Sequence, residues 1–192
     1  MKKMIAITGG IGSGKSSVLH YLSEMGYPIF SCDQIYREVI QTPAYIHKIS
    51  EAFPTCIINN TIDRKRLGEI VFNDTDKLSL LNSIAHPLIM ESLFSKMKDC
   101  KQEVAFAEVP LLFEGNYEKH FDGVIVVCRN IEERIRSIVQ RDKITKDEAL
   151  QRISSQFDYD NAENRFKKCN AILIDNNGSV EELQAKIKAL KF

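Results

Sequence analysis

A glycine-rich segment that ends in a lysine and a serine begins at Gly9. The segment Gly9-Gly-Ile-Gly-Ser-Gly-Lys-Ser16 fits the spacing G-x-x-x-x-G-K-[ST]. Glycines let a backbone turn tightly and bring its N–H groups close to an anion. The lysine and hydroxyl follow at the start of a helix, where the dipole favours negative charge. This pattern predicts a loop around the phosphates of a nucleotide, with Mg²⁺ on Ser16, formed by Gly10, Ile11, Gly12, Ser13, Gly14, Lys15, Ser16 and Ser17.

The elements on either side of this loop favour the same prediction. Met4–Thr8 is a short apolar run, typical of a strand that is buried on both faces. Ser16–Met25 has helical spacing and Tyr27–Phe30 predicts a second strand, so the loop belongs to a βαβ unit. The alternatives are a chance glycine-rich turn and a dinucleotide-binding G-x-G-x-x-G turn. Lys15 stands where the third glycine of the latter belongs.

The rest of the chain predicts an α/β fold. Helical spacing runs from Asp33 to about Lys101; within it, His86-Pro87 should break the run, and Pro87 should begin the next helix. Apolar, β-branched runs then alternate with helices, which predicts a doubly wound parallel sheet with helices on both faces. The later predicted elements are strands Glu103–Val109, Gly123–Cys128 and Ala171–Ile174, and helices Ile131–Arg141, Lys146–Phe157 and one that begins at Ser179.

The composition disfavours several kinds of partner. The chain has 26 Lys and Arg against 26 Asp and Glu, so no charge excess favours nucleic acid. No apolar run approaches the roughly 20 residues of a membrane span, and the N-terminus has no signal-peptide core. The five cysteines are separated and form no C-x-x-C, which favours reduced thiols. We expect a cytoplasmic protein without nucleic-acid or membrane partners, whose only metal is the Mg²⁺ that accompanies ATP.

Two absent motifs narrow the class of nucleotide-binding protein. A GTPase usually has N-K-x-D, and the nearest polar loop, Asp175-Asn-Asn-Gly178, lacks the lysine. A hydrolytic ATPase usually has an apolar strand that ends in Asp, whereas this chain has Ala107-Glu-Val-Pro110. A short chain with a helical insertion after the second strand favours a kinase for a small molecule. A nucleotide-dependent switch that transfers nothing is the alternative from another class.

Seven short segments, in order over nearly the whole chain, carry a family resemblance. They are Thr8-Gly-Gly-Ile-Gly-Ser-Gly-Lys-Ser16, Cys32-Asp-Gln-Ile-Tyr-Arg37, Asp63-Arg-Lys-Arg-Leu-Gly68, His86-Pro-Leu-Ile89, Val109-Pro-Leu-Leu-Phe-Glu114, Gln140-Arg-Asp142 and Asp175-Asn-Asn-Gly178. This series is similar to that of the dephospho-coenzyme A (dephospho-CoA) kinases, a family of P-loop metabolite kinases.

The resemblance implies a three-layer P-loop kinase fold with a five-stranded parallel sheet in the order 2-3-1-4-5. The implied reaction transfers the γ-phosphoryl group of Mg²⁺-ATP to the ribose 3′-hydroxyl of dephospho-CoA, the last step of coenzyme A biosynthesis. A kinase for another acceptor, such as a nucleoside monophosphate, is the alternative. We also expect a monomer. The implied single domain, 1–192, has a core of 1–32, 102–130 and 168–192, a helical acceptor-binding region at 33–101 and a lid region at 131–167.

Asp33 and Lys15 are two of the three candidate catalytic residues. Lys15 would reach the β- and γ-phosphates. Asp33 follows the second strand, where ligands of open α/β sheets bind. The resemblance implies that Asp33 is the base for the acceptor hydroxyl; the alternative is that it caps the next helix. The family usually has a second aspartate two positions earlier, where this chain has Ser31.

Arg141 is the third candidate catalytic residue. It lies in the implied lid region, where a guanidinium closing over the phosphates would offset the charge on the transferred group. Matching Gln140-Arg-Asp142 to the family supports this role. The alternative is a solvated helix face, which Arg141 would share with Arg134 and Arg136.

The remaining candidates are implied to contact substrates. Asn176, Asn177 and Gly178 follow the last strand and would flank the adenine, unless they form an ordinary loop with a glycine turn. His86 precedes a proline and has the alternative of a capping or packed histidine. The implied acceptor-binding residues are Asp33, Arg37, Arg64, His86, Pro110, Leu111 and Leu112.

Overall fold

The structure is a computed structural model that describes residues 2–59 and 61–192. The chain divides into two compact units: unit 1 is the chain up to Phe30 with Cys100–Phe192, and unit 2 is Ser31–Asp99. No helix of the described residues is both long and apolar enough to cross a membrane. In chain order the elements are β1 (Lys3–Thr8), α1 (Lys15–Glu24), β2 (Ile29–Ser31), α2 (Cys32–Val39), α3 (Pro43–Ala52), β3 (Ile57–Ile58), β4 (Thr61–Ile62), α4 (Arg64–Phe72), α5 (Thr75–Asp99), β5 (Val104–Glu108), β6 (Gly123–Cys128), α6 (Ile131–Asp142), α7 (Lys146–Ser154), α8 (Glu163–Lys168), β7 (Ile172–Asp175) and α9 (Val180–Lys188).

Five strands form one parallel sheet in the order β2-β5-β1-β6-β7. Counted among themselves along the chain, these strands have the order 2-3-1-4-5, as predicted. β3 and β4 form a separate antiparallel hairpin in unit 2, which the sequence did not predict. β1 is the middle strand, and its Ile5 lies beside Phe106 of β5 and Gly123 of β6. The loop after β1 therefore emerges from the centre of the sheet, at the edge where ligands of such folds bind.

The strands are apolar because both faces of the sheet are buried. On one face Ile7 packs with Leu22 of α1 and Ile187 of α9. On the other face of β1, the neighbouring residue Ala6 is also fully buried. Alternate residues of one strand are thus excluded from water on opposite sides, as in the middle layer of an α/β fold. Each fully buried aliphatic side chain contributes roughly 1.5–3 kcal/mol to holding β1 and α1 in place.

Unit 2 is helical and is organised around α5. This helix of 25 residues packs against α2, α3 and α4. Leu93 and Met97 of α5, and Ile49 of α3, are completely buried. On α2, Ile35 and Val39 face the same core, so the opposite face of α2 is left for other contacts.

The prediction that His86-Pro87 ends one helix and begins another is wrong. α5 runs through Pro87 without interruption. A proline inside a helix removes one hydrogen bond and costs about 3 kcal/mol. The helix nevertheless continues because residues on both sides of Pro87 are buried, including Ala85, Ile89 and Leu93. Packing over this length outweighs the local penalty.

Two predicted boundaries are also wrong, and aromatic packing explains both. α7 ends at Ser154 rather than at Phe157, whose ring stacks on Phe113 with centroids 4.9 Å apart. β2 begins at Ile29 rather than at Tyr27, whose ring meets the ring of Phe106 edge-on at 5.2 Å. Each of these two residues is therefore held by a contact of its ring, and not by the backbone hydrogen bonds of the helix or strand beside it.

Candidate active site

The loop between β1 and α1 has the geometry that its glycines predict. Gly12 and Gly14 have φ angles of 78° and 90°, a region that disfavours residues with a Cβ. Gly10 needs its missing side chain for another reason, because a Cβ there would run into the guanidinium of Arg134. A side chain at any of these three positions would distort the loop.

Lys15 folds back over this loop. Its Nζ donates hydrogen bonds to the carbonyl oxygens of Gly9 and Gly10, at 2.8 and 3.2 Å. Burial lowers the pKa of Lys15; the charge of Glu108 raises this pKa, and the charges of Arg134 and Arg141 lower it. Glu108, at the end of β5, is thus a carboxylate within electrostatic range of the loop that the motifs did not identify. A negative ligand would favour the charged form of this lysine.

The start of α1 is open to an anion. Among the residues that the structure describes, the backbone N–H groups of Gly14, Lys15 and Ser16 donate no hydrogen bond. The helix has no side-chain cap and no acidic residue in its first turn, so no carboxylate there offsets the positive end of its dipole. The hydroxyl of Ser13 is buried and has no hydrogen-bonding partner among the described residues. Ser16 is exposed. These donors and this hydroxyl fit a Mg²⁺-bound triphosphate.

Arg134 lies behind the loop, so the alternative of a solvated helix face that Arg141 would share with it does not hold for Arg134. Its side chain is 4% exposed. The Nε donates to the carbonyl oxygen of Ile11 at 3.0 Å, and Nη1 forms an ion pair with Asp160 at 3.2 Å. Arg134 and Ile138 are the two buried residues of α6. Their i, i+4 spacing was the available signal that Arg134 faces inward.

The segment after α7 also contacts the loop. Gln156 accepts a hydrogen bond from the N–H of Ile11 through its Oε1, at 2.7 Å. The hydroxyl of Tyr159 is 2.7 Å from Oγ1 of Thr8, the last residue of β1. Burial raises the pKa of Tyr159 to about 12, so it stays a neutral hydrogen-bonding group. No sequence pattern indicated the contact between Tyr159 and Thr8, because the two residues are far apart in the chain.

Arg141 lies in the last turn of α6 and is 62% exposed. It forms two hydrogen bonds with Asp142, from Nε at 2.7 Å and from Nη2 at 3.0 Å. Arg152 donates to the same carboxylate at 2.6 Å. The hydrogen bonds from Arg141 lower the pKa of Asp142 below its usual range, despite the opposing effect of desolvation. The two guanidiniums thus share one carboxylate, which leaves a net positive charge on the group of three side chains. The catalytic role of Arg141 stays a prediction.

The predicted adenine-binding residues hold three loops together. Asn176 donates from its side chain to the carbonyl oxygen of Ser13 at 2.8 Å, and Asn177 accepts a bond from the N–H of Asn130 at 2.7 Å. They therefore connect the end of β7 to the phosphate loop and to the end of β6. Gly178 follows in an exposed turn. Contact of these residues with adenine stays a prediction.

In unit 2, Asp33 is not a helix cap. The N-cap of α2 is Ser31, and Asp33 is the second residue of the helix. It is exposed, and its carboxylate has no hydrogen-bonding or ion-pair partner among the described residues of its own unit. Arg37 is exposed one turn later on α2. The capping alternative is therefore wrong, and the catalytic role of Asp33 stays a prediction.

The other predicted acceptor-binding residues differ in accessibility. Arg64, the first residue of α4, is exposed. His86 is half-buried inside α5, and burial lowers the pKa of this histidine. After β5, Pro110 is half-buried, Leu111 is 41% exposed and Leu112 is fully buried. Of these last three residues, Leu111 offers the most surface to an acceptor.

A middle strand that leads through a glycine-rich loop into an open helix N-terminus defines a P-loop kinase fold. Shikimate kinase from Acinetobacter baumannii shares this fold, with a TM-score of 0.58 at 15% identity over 100% of this chain and 97% of that one. A family model described as dephospho-CoA kinase matches residues 3–182. The chain belongs to the dephospho-CoA kinase family.

Individual relatives cover nearly the whole chain. A dephospho-CoA kinase of Fusobacterium nucleatum is 37% identical over 188 residues, which are 96% of this chain and 95% of that protein. One of Corynebacterium glutamicum is 37% identical, with coverages of 97% and 94%. Among solved structures, dephospho-CoA kinase from Campylobacter jejuni has a TM-score of 0.69 at 30% identity, with coverages of 98% and 94%. A Thermus thermophilus protein reaches 0.79 at 30% identity, with coverages of 98% and 95%.

Proposed function

We propose that this protein transfers the γ-phosphoryl group of ATP to the 3′-hydroxyl of the ribose of dephospho-CoA, which yields coenzyme A and ADP. This is the last step of coenzyme A biosynthesis. The observation that carries the proposal is the loop from Gly9 to Ser16, whose open N–H groups and folded lysine suit a triphosphate. Membership of the family supplies the acceptor.

In the proposed mechanism the phosphate loop holds the donor nucleotide. The free N–H groups at the start of α1 bind the phosphate oxygens, and Lys15 exchanges its bonds to Gly9 and Gly10 for bonds to the β- and γ-phosphates. The Ser16 hydroxyl would hold Mg²⁺, which would supply neutralisation of the phosphate charge. Asn176, Asn177 and Gly178 flank the adenine, at the ends of the strands beside the loop.

Asp33 is the proposed base for the acceptor. An exposed carboxylate without a competing side-chain partner in its own unit can accept the proton of the 3′-hydroxyl as the oxygen attacks the γ-phosphorus. The bond from the γ-phosphorus to the bridging oxygen breaks, and ADP leaves. Arg37, Arg64, His86, Pro110, Leu111 and Leu112 contribute to acceptor binding in this proposal.

Arg141 is proposed to stabilise the charge that develops on the transferred group. Its charge already reaches the phosphate loop, because it lowers the pKa of Lys15. Gln156, which also belongs to the proposed lid region 131–167, accepts a hydrogen bond from the N–H of Ile11 in the loop. In phosphoryl transfer, negative charge is spread over the three equatorial oxygens of the transferred group in the transition state. A guanidinium near these oxygens would stabilise that charge, which is a main contribution to catalysis.

The test is acceptor-dependent release of ADP. With Mg²⁺ and ATP, the rate should rise strongly on addition of dephospho-CoA and stay near background without it. Adenosine monophosphate (AMP) is the comparison acceptor, because a nucleotide kinase would prefer it. A higher kcat/KM with AMP than with dephospho-CoA, or no dependence on either, would reject the proposal.

We also propose that the protein acts as a cytoplasmic monomer without nucleic-acid or membrane partners. The equal numbers of acidic and basic residues and the five free cysteines support this view. Light scattering of the purified protein should give a mass near 21.9 kDa.

A further inference from the structure

The segment that follows α7 contacts the phosphate loop and the strand before it in three places. Gln156 accepts a hydrogen bond from the N–H of Ile11, and the hydroxyl of Tyr159 lies 2.7 Å from Oγ1 of Thr8. Asp160 pairs with the buried arginine that lies behind the loop. The segment itself belongs to no helix or strand. Contacts with other parts of the chain must therefore set its position.

This segment, residues 156–160, is stiffened by a turn of its own. The carboxylate of Asp158 accepts hydrogen bonds from the N–H groups of Asp160 and Asn161, both at 3.2 Å. An aspartate that bonds to the backbone two residues further on fixes the chain locally. The residues on either side of Asp158 therefore move together, so whatever holds Phe157 also places the contacts with the phosphate loop.

Phe157 is held by two residues of the loop after β5, which spans 109–122. Its N–H donates to Oε1 of Glu114 at 3.1 Å, although the two residues are 43 positions apart in the chain. Its ring stacks on the ring of Phe113, with 29° between the planes, and Phe113 is 2% exposed. Stacked aromatic pairs stabilise a structure beyond the burial of their area. One carboxylate and one ring thus fix both the backbone and the side chain of Phe157.

The loop after β5 is a firm support because α8 braces it. Arg165 donates from Nη2 to the carbonyl oxygen of Phe113 at 3.2 Å and to Oδ1 of Asn116 at 2.6 Å. Its Nε donates to Oε1 of Glu118 at 2.8 Å. A planar guanidinium can make these bonds at the same time. Glu114 lies between two of the residues that are held in this way, so its carboxylate has a fixed base.

We propose that Glu114 is a positioning residue for nucleotide binding, which holds the segment 156–160 against the phosphate loop. Glutamate side chains mostly lie exposed to water. Glu114 is exposed too, yet it accepts the main-chain N–H that directly follows Gln156. The inference rests on the proposed function, because it takes the phosphate loop as the ATP site.

The direction of the effect follows from what the contacts do. The contacts of Tyr159 and Asp160 leave the free N–H groups at the start of α1 open, so they hold the loop in shape without occupying these donors. Once the segment is released, the loop can adopt other conformations. A nucleotide must then order the loop as it binds, and this ordering reduces its affinity. Loss of the Glu114 bond should therefore weaken the binding of ATP.

The first experiment measures the order of the segment by hydrogen exchange. Glu114→Met removes the acceptor and keeps the length of the side chain, whereas Glu114→Gln keeps an acceptor oxygen. The N–H groups of Tyr159 and Asp160 bond within the segment and not to Glu114. Their exchange should become about fivefold faster in Glu114→Met and stay within about twofold in Glu114→Gln. Equal exchange of these two groups in all three proteins would overturn the inference.

The second experiment measures nucleotide binding by calorimetric titration with Mg²⁺-ATP. The Kd should rise about fivefold in Glu114→Met and stay within about twofold in Glu114→Gln. The matched control is Glu51→Met, which removes the same charge from a side chain that is 69% exposed on α3. This control should bind ATP as the natural protein does. An unchanged or lower Kd in Glu114→Met would contradict a positioning role.

Steady-state kinetics separate this role from a direct role in acceptor binding. The contacts of the segment with the loop do not involve Lys15, Asp33 or Arg141. In Glu114→Met the KM for ATP should therefore rise about fivefold, while kcat and the KM for dephospho-CoA change less than about twofold. A larger change in the KM for dephospho-CoA than in the KM for ATP would assign Glu114 to the acceptor and reject the inference.

A second variant covers the case in which Glu114→Met does not fold. Phe157→Leu keeps an apolar side chain and the N–H donor but loses the ring that stacks on Phe113. It should raise the Kd for Mg²⁺-ATP in the same direction, and an unchanged Kd would count against the inference.

The two proposals can fail separately. If the natural protein binds Mg²⁺-ATP but does not phosphorylate dephospho-CoA, the proposed function fails and the titration still decides the role of Glu114. If the natural protein phosphorylates dephospho-CoA but Glu114→Met binds ATP normally, the function stands and the inference fails. A natural protein that binds no Mg²⁺-ATP would refute both.

Discussion

At the scale of single residues, Lys15 lies in an environment that disfavours its own charged form. Burial lowers its pKa from an ordinary value of 10.5, so the charged form is less favourable in the folded protein than in the unfolded one. Two carbonyl oxygens are its hydrogen-bonding partners. Residues placed for binding commonly reduce stability in this way.

The first prediction follows from the sign of this shift. A lowered pKa means that protonated Lys15 subtracts stability at neutral pH, and that this loss disappears as the pH rises past 10.5. Lys15→Met should therefore unfold at a higher urea concentration than the natural protein at pH 7, and the difference should shrink towards pH 10.5. Its kcat should fall at least about 100-fold. Lys167→Met, at a site that is 74% exposed, is the control and should change neither the urea midpoint nor kcat. A Lys15→Met protein that is less stable than the natural protein at pH 7 would contradict the argument.

Asp33 gives the second prediction at this scale. If it accepts the proton of the acceptor hydroxyl, Asp33→Asn should lower kcat by about 100-fold or more, while the affinity for ATP stays within about twofold. Asp33 is exposed and does not cap α2, so the variant should keep its urea midpoint. Steady-state kinetics and nucleotide titration measure the two effects. Parallel losses of kcat and of ATP affinity would assign Asp33 to structure.

At the scale of elements, α6 reaches the phosphate loop through one buried side chain. Arg134 bonds to the carbonyl oxygen of Ile11 and pairs with Asp160, which precedes α8. It thereby joins the loop, α6 and the segment after α7. A guanidinium can make both contacts because its donors form a rigid planar fork, which a lysine does not have.

The third prediction concerns this connection. Arg134→Gln should raise the KM for ATP by about tenfold and lower the free energy of unfolding by about 1–3 kcal/mol, the usual cost of a lost hydrogen bond to a charged group. Arg134→Lys should not restore the KM, because it cannot make both contacts. Asp160→Asn, which keeps the bond to Ile11, should have the smaller effect on the KM. Reduced stability with an unchanged KM for ATP would mean that Arg134 only packs.

The fourth prediction concerns α5, which carries Pro87 in its interior. Pro87→Ala can form the missing helical hydrogen bond, worth about 3 kcal/mol with the relief of the ring clash. Alanine also leaves the unfolded chain more flexible than proline does, which lowers the free energy of unfolding by about 1 kcal/mol. The variant should therefore gain about 2 kcal/mol in free energy of unfolding, measured with urea. Leu80→Ala, at an exposed position of the same helix, is the control for propensity alone; a loss of stability in Pro87→Ala would show that the ring is needed for packing.

At the scale of the whole molecule, the parts that could be predicted are those set by neighbours in sequence. The loop, its strand and its helix occupy adjacent residues, so motif and periodicity were sufficient. The strand order came from resemblance and was confirmed. The contacts of Arg134 and Tyr159 with the loop join residues that are more than 100 positions apart, and no local pattern encodes such pairs. Pro87 was misjudged because its local preference is outweighed by packing along the whole of α5.

The hydrogen bond between Gln156 and Ile11 implies competition with a nucleotide at the proposed phosphate-binding loop. One amide of the phosphate loop is already occupied by the protein's own side chain. A phosphate oxygen that binds this amide must first displace Gln156, and Gln156 can return when the nucleotide departs. If the amide of Ile11 binds a phosphate of ADP, this competition by Gln156 should weaken the binding of ADP and shorten the time that the product stays bound.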